Sequence, residues 1–426
     1  MRLFYNLLTY VATAHIWIAQ FFSKKLRLFM SGRKKSFKTL SDKIAPDDQT
    51  IWFHCASLGE FEQGFPIMEA TKRQYPEHKI IVSFFSPSGY EFKKDTPVAD
   101  AVVYLPMDTK KNAKKFIGLV HPSITIFVKY EFWPNYLLEL HAQKIPAVLV
   151  SGLFRKDQVF FKPYGGFIRR AINTFSHLFV QDASSEALVR SLKIDRVSIS
   201  GDTRFDRVSH QIELDNRLDF MESFKGDSLC IVCGSTWVDD EDVLLHYINN
   251  APKQVKFVIA PHKIDHKKIL DLKNKISKST ILHSELHSEG ELESISTKDV
   301  LIIDMIGLLT KIYSYADIAY VGGAMGKTGL HNILEPATFG VPIIIGENYD
   351  DFPEAKRLRS LAGLFSIADE KTCTEILTKL IEDSKFREKT GMISGHFINS
   401  NTGATTMVMD YISEVLPNKS NTHRLV

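Results

Sequence analysis

Short apolar runs alternate with amphipathic stretches in two separate series, and this pattern restricts the fold more than any other feature of the chain. The first series predicts strands at Ile51–His54, Ile80–Phe84, Ala101–Tyr104, Ile124–Val128, Ala147–Val150, Leu178–Val180 and Val197–Ile199. The second predicts strands at Leu229–Cys233, Lys256–Ala260, Val300–Ile303, Ile318–Val321, Ile343–Ile345 and Leu364–Ser366. Strands that alternate with helices form parallel sheets covered by helices, so we predict an α/β protein with two Rossmann-like domains.

The domain boundary is expected where this alternation stops. Asp206–Asp227 is charged and has no strand pattern, so we predict an N-terminal domain over residues 46–215 and a C-terminal domain over 216–426, which includes a final helix at Ala404–Val415. Lys275–Lys298 is rich in serine and charge and is predicted to be a surface excursion. Further helices are predicted between the strands, at Phe61–Arg73, Lys110–Val120, Ala183–Leu192 and Lys371–Glu382.

Composition excludes some classes of function. The 426-residue chain is 44% hydrophobic with a formal net charge of only +3, which does not indicate a nucleic-acid binder. Its four cysteines suit a reducing compartment. Cys230 and Cys233 have the spacing of a zinc half-site, but in a strand they point to opposite faces, and no second pair exists.

Residues 1–45 differ from the rest of the chain. Leu3–Phe22 is mostly apolar and aromatic, and the segment 1–45 contains nine Lys and Arg residues against one acid, Asp42. The stretch is just long enough to span a bilayer, with a basic flank that would keep the main body in the cytoplasm. An amphipathic helix lying in the membrane interface is the second interpretation, and a core helix is the third. No cleavage site for a signal peptide follows.

A glycine-rich loop at 322–329 follows the predicted strand Ile318–Val321 and precedes a helix. Such a loop lets the backbone approach a ligand and points free N–H groups at an anion. We expect His331, Asn332 and Glu335 on the first turn of that helix, where a carboxylate can accept both hydroxyls of a ribose. The alternative is that Glu335 merely caps the helix.

Three further polar segments follow strands of the first series. Ser57–Glu60 places a carboxylate at a helix start, where it stays ionised and can act as a general base; the alternative is an ordinary helix-terminal charge. Glu131 lies among aromatic residues before Trp133-Pro134 and is either a salt-bridged core acid or a site acid. Arg204 follows a glycine turn and either stabilises negative charge or pairs with Asp202 or Asp206.

Two polar segments follow strands of the second series. Ser235 and Thr236 offer hydroxyl and N–H groups for a phosphate. The acidic run Asp239–Asp242 behind them indicates the first turn of a helix more strongly than a metal site. Pro261-His262-Lys263 places basic groups beside the same ligand, or is a solvated turn.

Taken together, these segments resemble the 3-deoxy-D-manno-octulosonic acid (Kdo) transferase family over nearly the whole chain. Ser57-Leu58-Gly59-Glu60 resembles the family's Ser-Val-Gly-Glu, and Glu131-Phe132-Trp133-Pro134 resembles Glu-Leu-Trp-Pro. Gly201–Asp206 resembles Gly-Asn-Leu-Lys-Phe-Asp, and Leu330–Pro336 resembles Gly-His-Asn-x-x-Glu-Pro. The resemblance implies a GT-B type glycosyltransferase with a cleft between its domains, and an N-terminal membrane anchor.

The resemblance also implies roles for individual residues. Glu60 would be the general base, Glu131 and Arg204 would stabilise the transition state, and Ser57 and Gly59 would bind the acceptor. The residues expected to bind CMP and the donor are Ser235, Thr236, Pro261, His262, Ile306, Gly307, Leu308, Gly323, His331, Asn332, Ile333, Leu334 and Glu335. The chain departs from the family at His262, Leu308 and Leu330, where arginine, glutamate and glycine are usual, and at Arg204, where lysine is common.

The implied reaction is inverting transfer of Kdo from CMP-Kdo to a lipid A precursor such as lipid IVA, in lipopolysaccharide core biosynthesis, without a metal or other cofactor. The implied location is the inner membrane, with the catalytic body on its cytoplasmic side and in contact with membrane lipids. Alternatives are a GT-B transferase for another nucleotide sugar, a sugar epimerase of similar fold, and an inactive membrane-bound protein that binds nucleotide or lipid. The sequence does not specify any protein partner.

Overall fold

The computed structural model describes residues 2–286 and 294–416. Its strands form two parallel seven-stranded sheets, with the orders β3-β2-β1-β4-β5-β6-β7 and β10-β11-β9-β8-β12-β13-β14. The strands are β1 (Gln49–Cys55), β2 (His78–Phe84), β3 (Ala101–Tyr104), β4 (Pro122–Val128), β5 (Ala147–Gly152), β6 (His177–Val180), β7 (Val197–Ile199), β8 (Leu229–Thr236), β9 (Val255–Pro261), β10 (Thr280–Leu282), β11 (Val300–Ile302), β12 (Ile318–Val321), β13 (Ile343–Gly346) and β14 (Leu364–Ile367).

Helices cover both faces of the sheets and confirm the predicted α/β class. They are α1 (Arg2–Ala19), α2 (Lys24–Lys43), α3 (Leu58–Gln74), α4 (Pro87–Lys93), α5 (Lys110–Val120), α6 (Pro134–Ala142), α7 (Gly166–Ile172), α8 (Ala183–Ser191), α9 (Arg204–His210), α10 (Asp219–Lys225), α11 (Val238–Asn250), α12 (His266–Lys275), α13 (Leu309–Ile312), α14 (Leu334–Thr338), α15 (Pro353–Ser360), α16 (Glu370–Glu382), α17 (Ser384–Asn399) and α18 (Ala404–Val415). Proline at the first position starts α4, α6 and α15, because its missing N–H would have no partner there.

Every strand predicted from the sequence is present, with ends that differ by at most a few residues. The prediction that residues 275–298 form a surface excursion is wrong where β10 lies. This strand pairs with β11, and its Ile281 and Leu282 side chains are buried. Residues 287–293 of that segment lie outside the described part of the chain. Cys230 and Cys233 lie on opposite faces of β8, as predicted, in two different core clusters.

The chain forms two compact units, and their division differs from the predicted domains. One unit contains the residues up to Arg207 together with those from Thr402 onward, and the other is Val208–Asn401. The final helix α18 therefore packs on the first unit, not on the second. Val408, Met409 and Ile412 are buried there in one cluster with apolar residues of α3 and β1, because their spacing places them on one face of α18. The predicted linker also contains a helix, α10, with a buried Phe224.

The apolar N-terminal stretch forms α1 and the turn after it, and none of the side chains of α1 is buried. Its large apolar side chains are exposed, among them Leu3, Phe4, Leu7, Leu8, Trp17, Ile18, Phe21 and Phe22. Within residues 2–286 and 294–416, no helix is both long enough and apolar enough to cross a membrane.

Strand order reverses beside the first strand of each sheet. In the first sheet β1 lies between β2 and β4, and in the second sheet β8 lies between β9 and β12. The loops that leave the carboxyl ends of two such strands run to opposite sides and open a crevice, which is where ligands bind in open parallel sheets. The β1/β4 and β8/β12 positions are therefore where the candidate residues should be found.

Candidate functional site

The loop after β1 places Glu60 at the start of α3. Ser57 and Glu60 form a capping box, in which the Ser57 backbone N–H donates to Glu60 Oε2 at 3.1 Å and the Ser57 hydroxyl donates to the same oxygen. Glu60 is 8% exposed. Every hydrogen bond of Glu60 within residues 2–286 and 294–416 uses Oε2, so the described chain leaves Oε1 available to a ligand. The structure thus favours Ser57 as the residue that holds Glu60.

The loop after β4 places Glu131 beside the same crevice. Lys129 turns the chain with a φ of +73°, a left-handed value that non-glycine residues adopt at an energetic cost. Pro134 then begins α6, and Glu131 is held between the turn and the helix. The Trp133 indole N–H donates to Glu131 Oε2 at 2.9 Å, and His54 Nε2 lies 3.5 Å from the same oxygen.

Cys55, the last residue of β1, lies close to both acids. Burial raises the pKa of its thiol well above the usual range, and the negative charges of Glu60 and Glu131 raise it further. The two carboxylates therefore lie close enough to Cys55 for both to act on it electrostatically. They are brought together by the β1/β4 reversal, although 70 residues separate them in the sequence.

Arg204 also lies at the carboxyl end of the first sheet, although it follows β7 and not β1 or β4. β7 is an edge strand, but the loop after it turns back toward α3, where the Gln63 amide donates to Asp202 at 3.1 Å and the Gln63 carbonyl oxygen accepts from the Thr203 hydroxyl. Arg204 Nε donates to Asp202 Oδ2 at 2.8 Å, and its side chain is 35% exposed. The expected pairing with Asp202 is present, while Asp206 binds Gly403 and Thr405 instead.

In the second unit, the loops after β8 and β12 approach each other closely. Ser235 has a left-handed φ of +54°, and a Cβ on Gly322 would lie 2.5 Å from the Ser235 carbonyl oxygen. Asp240, fully buried on the first turn of α11, accepts from the Gly323 N–H at 2.8 Å and from the Tyr320 hydroxyl at 2.8 Å. Glycine is therefore required at 322, and the acidic run starts a helix, as the sequence indicated.

Several predicted donor residues differ from expectation in detail. The helix after the glycine loop begins at Leu334, so His331 and Asn332 precede it and do not lie on its first turn. The Asn332 side chain links the loop to the start of the helix. It accepts from the Leu334 N–H and donates to Glu335 Oε1, both at 3.1 Å. Glu335 Oε2 accepts from Thr310 at 3.1 Å, a contact that the sequence reasoning missed.

Other predicted residues surround these two loops. Thr236 is buried and its hydroxyl donates to Glu241 at 2.9 Å, so that hydroxyl serves the fold. Ile306 and Gly307 form an exposed loop after β11, with Gly307 at a φ of +96°, and Leu308 precedes α13. Ile333 and Leu334 are buried, so only their backbone groups remain to contact a ligand. Pro261 ends β9 beside Thr236.

An aromatic cluster next to the glycine loop was not predicted. The Trp237 indole N–H donates to His331 Nε2 at 3.0 Å, and the His262 ring stacks on both rings, with centroid distances of 4.8 Å and 4.2 Å. Burial, and to a lesser extent the neighbouring Lys263, lowers the pKa of His262. Burial followed by the charge of His262 lowers the pKa of His331 to about 4. Both rings are thus neutral at pH 7.

No group of three His, Cys, Asp or Glu side chains suited to a metal ion occurs within residues 2–286 and 294–416.

Comparison with known proteins adds independent findings. Residues 29–207 match the family described as 3-deoxy-D-manno-octulosonic-acid transferase (kdotransferase). The 3-deoxy-D-manno-octulosonic acid transferase of Haemophilus influenzae is 27% identical over 87% of this chain and 88% of its own length. Among solved structures, the UDP-GlcNAc 2-epimerase of Neisseria meningitidis has a TM-score of 0.60 at 15% identity, over 86% of this chain and 100% of its own. A glycosyltransferase of Rickettsia africae has a TM-score of 0.54 at 12% identity, over 88% of this chain and 100% of its own. Both likenesses concern the fold.

Proposed function

The chain belongs to the Kdo transferase family and is a glycosyltransferase, and on that premise we propose that it transfers Kdo from CMP-Kdo to a glucosamine hydroxyl of a lipid A precursor. The observation that supports this best is the placement of Glu60 and Glu131 at the β1/β4 reversal of the first sheet. A hydroxyl acceptor needs a base, and a carboxylate with one unoccupied oxygen at a crevice can serve as that base.

The proposed step is a single displacement with inversion. Glu60 takes the proton of the acceptor hydroxyl as its oxygen bonds to the anomeric carbon of Kdo. The bond from that carbon to the CMP phosphate oxygen breaks, and the phosphate leaves with the electron pair. Glu131 and Arg204 stabilise the charges that develop at the sugar. The scheme requires no metal, and we expect turnover to survive EDTA.

The donor is proposed to bind at the β8/β12 reversal. The backbone around Ser235 and Gly323 would contact the phosphate, and Glu335, which Asn332 and Thr310 hold in place, would accept the ribose hydroxyls. Because His262 is neutral at pH 7, it does not replace the charge of the arginine usual in the family. Lys263, whose ammonium lies 4.8 Å from the Trp237 ring centroid, would supply that charge instead.

We further propose that the protein lies on the cytoplasmic face of the inner membrane. The exposed apolar side chains of α1 would enter the lipid, and exposed basic side chains of α2 would meet anionic headgroups. With α1 lying in the membrane interface, this arrangement brings the body to an acceptor that is itself a phosphorylated lipid.

The test compares Glu60→Gln with Glu69→Gln, a matched change at an exposed position of the same helix. Detergent-solubilised protein is incubated with CMP-Kdo and a tetraacylated disaccharide lipid A precursor, with and without EDTA, and products are read by mass spectrometry. We expect Glu60→Gln to lower kcat by about 100-fold to 10,000-fold and Glu69→Gln to leave it unchanged. Absence of any Kdo increment with the unsubstituted protein would contradict the donor or the acceptor.

A further inference from the structure

Glu131 is fixed through one of its two carboxylate oxygens. The Trp133 indole N–H lies 2.9 Å from Oε2, and His54 Nε2 lies 3.5 Å from that same atom. No hydrogen bond or ion pair within residues 2–286 and 294–416 uses Oε1. Because Oε2 of Glu131 is held in place, Oε1 points in one fixed direction, in which it can contact a ligand.

The indole N–H has two acceptors, since it also lies 2.9 Å from His54 Nε2. An indole nitrogen can only donate, so His54 Nε2 accepts and the imidazole proton is on Nδ1. That proton is donated to Ser83, whose hydroxyl oxygen lies 2.9 Å away. His54 thus fixes the direction in which Trp133 presents its N–H.

This arrangement continues into the core and is rigid. His54 and Ser83 are fully buried, and the Ser83 hydroxyl also accepts from the Trp52 indole N–H at 2.7 Å. The Trp133 ring packs on Phe85 with a centroid distance of 4.8 Å. Every nitrogen of His54 and of both indoles has a partner, so the fold allows one tautomer and one ring orientation.

We infer that His54 and Trp133 are positioning residues for the transfer reaction: His54 orients the Trp133 indole, and the indole N–H holds Oε2 of Glu131 so that Oε1 alone faces the reacting sugar. This inference rests on the proposed function. In this role both residues act through Glu131 and not on the substrate itself. Their effect is on the geometry of Glu131, and a displacement of about 1 Å at such a group can cost roughly 100-fold in rate.

Two substitutions at position 54 separate this role from a packing role. In His54→Gln the amide reaches the place of Nε2 and still accepts from Trp133, whereas in His54→Asn the amide reaches only the place of Nδ1 and keeps the contact with Ser83. We expect His54→Asn to lower kcat about 10-fold to 100-fold, His54→Gln to stay within about fivefold, and KM for donor and acceptor to change less than twofold. Trp133→Phe should resemble His54→Asn.

A double substitution and a control complete the test. When His54→Asn is added to the Glu131→Gln variant, kcat should fall by less than about twofold further. The reason is that substitutions at residues that act as a unit do not have additive effects. Tyr136→Phe removes another buried hydrogen bond, from the Tyr136 hydroxyl to Pro106 O, and should leave kcat within about twofold.

Equal losses in His54→Asn and His54→Gln, or a full further loss in the Glu131→Gln background, would overturn this positioning role. If His54→Asn does not fold, Trp133→Phe alone and combined with Glu131→Gln gives the same decision. An unsubstituted protein without Kdo transfer would contradict the proposed function and not the positioning role, so the two failures are distinguishable.

Discussion

At the scale of the residue, His331 gives the second unit a pH-dependent stability. Its pKa in the folded protein is about 4, below the usual 6.5, because it is buried and next to His262. The folded state therefore binds fewer protons than the unfolded state between these values. The stabilisation from neutral His331 is fully present above about pH 6.5 and is lost as the pH falls toward 4, by at most about 1.4 kcal/mol per pH unit and less because the ring is partly exposed.

We predict that His331→Gln flattens this dependence. The glutamine amide does not titrate and still offers an oxygen to the Trp237 indole N–H. The stability of the second unit, measured by hydrogen exchange of β8 and β12 peptides at pH 7 and pH 5, should fall less in His331→Gln than in the unsubstituted protein. The exposed His266 provides the control as His266→Gln, which should behave like the unsubstituted protein. Identical slopes in all three proteins would show that His331 is not the group responsible.

Short motifs predicted some site residues and missed others. The two groups differ in how far away in the sequence their contact partners lie. Glu60 and Glu335 follow strands and start helices, which a local pattern of apolar runs and glycines shows. Trp133 has no local signal beyond the proline that follows it, and Trp237 has none. Their indole partners, His54 and His331, are distant in the sequence and meet them only because β1 lies beside β4 and β8 lies beside β12.

At the scale of the element, α1 is the clearest case of a helix with unburied apolar side chains. We predict that Phe4→Asp combined with Leu8→Asp lowers binding of the full chain to phosphatidylglycerol vesicles at least about tenfold, because each lost apolar contact is worth roughly 1.5–3 kcal/mol. Stability should not change, since these two side chains are 62% and 51% exposed and the contacts of Arg2 and Tyr5 with the body remain.

Sedimentation with vesicles measures this loss of membrane binding. Met392→Asp is the control, since Met392 is a 67% exposed apolar residue of α17 in the second unit. Unchanged sedimentation of the α1 variant, or an equal loss in Met392→Asp, would contradict a specific role for α1.

Hydrophobic periodicity predicted most helices and strands, but not β10 and not the exact ends of every element. β10 was missed because Thr280–Leu282 is short and lies in a polar segment; pairing with β11 makes it a strand. α14 begins later than predicted because the Asn332 side chain caps the Leu334 N–H, which leaves His331 free of the helix and available to Trp237. Long-range pairing and side-chain capping decided these two cases.

At the scale of the whole molecule, the chain leaves the first unit at Arg207 and returns to it at Thr402. Sequence order favoured placing α18 with the second unit, because consecutive elements are usually neighbours. What decides its place is the fit of Val408 and Ile412 to the apolar face of α3, together with Asp206, which accepts from the N–H groups of Gly403 and Thr405 at 2.6 Å. A local pattern predicts such a helix but not its partner.

This arrangement makes the C-terminal helix part of the support of Glu60, because α3 carries that residue. We predict that Ile412→Ala, which empties a fully buried site, destabilises the first unit by about 2–5 kcal/mol and leaves the second unit unchanged. Hydrogen exchange should then accelerate in peptides of β1 and α3 and not in peptides of β8 and β12. Leu377→Ala, at a buried position of α16, should give the opposite pattern. Equal acceleration of both sets of peptides in either variant would mean that the two units unfold as one, and the separate stability of the first unit would then be disproved.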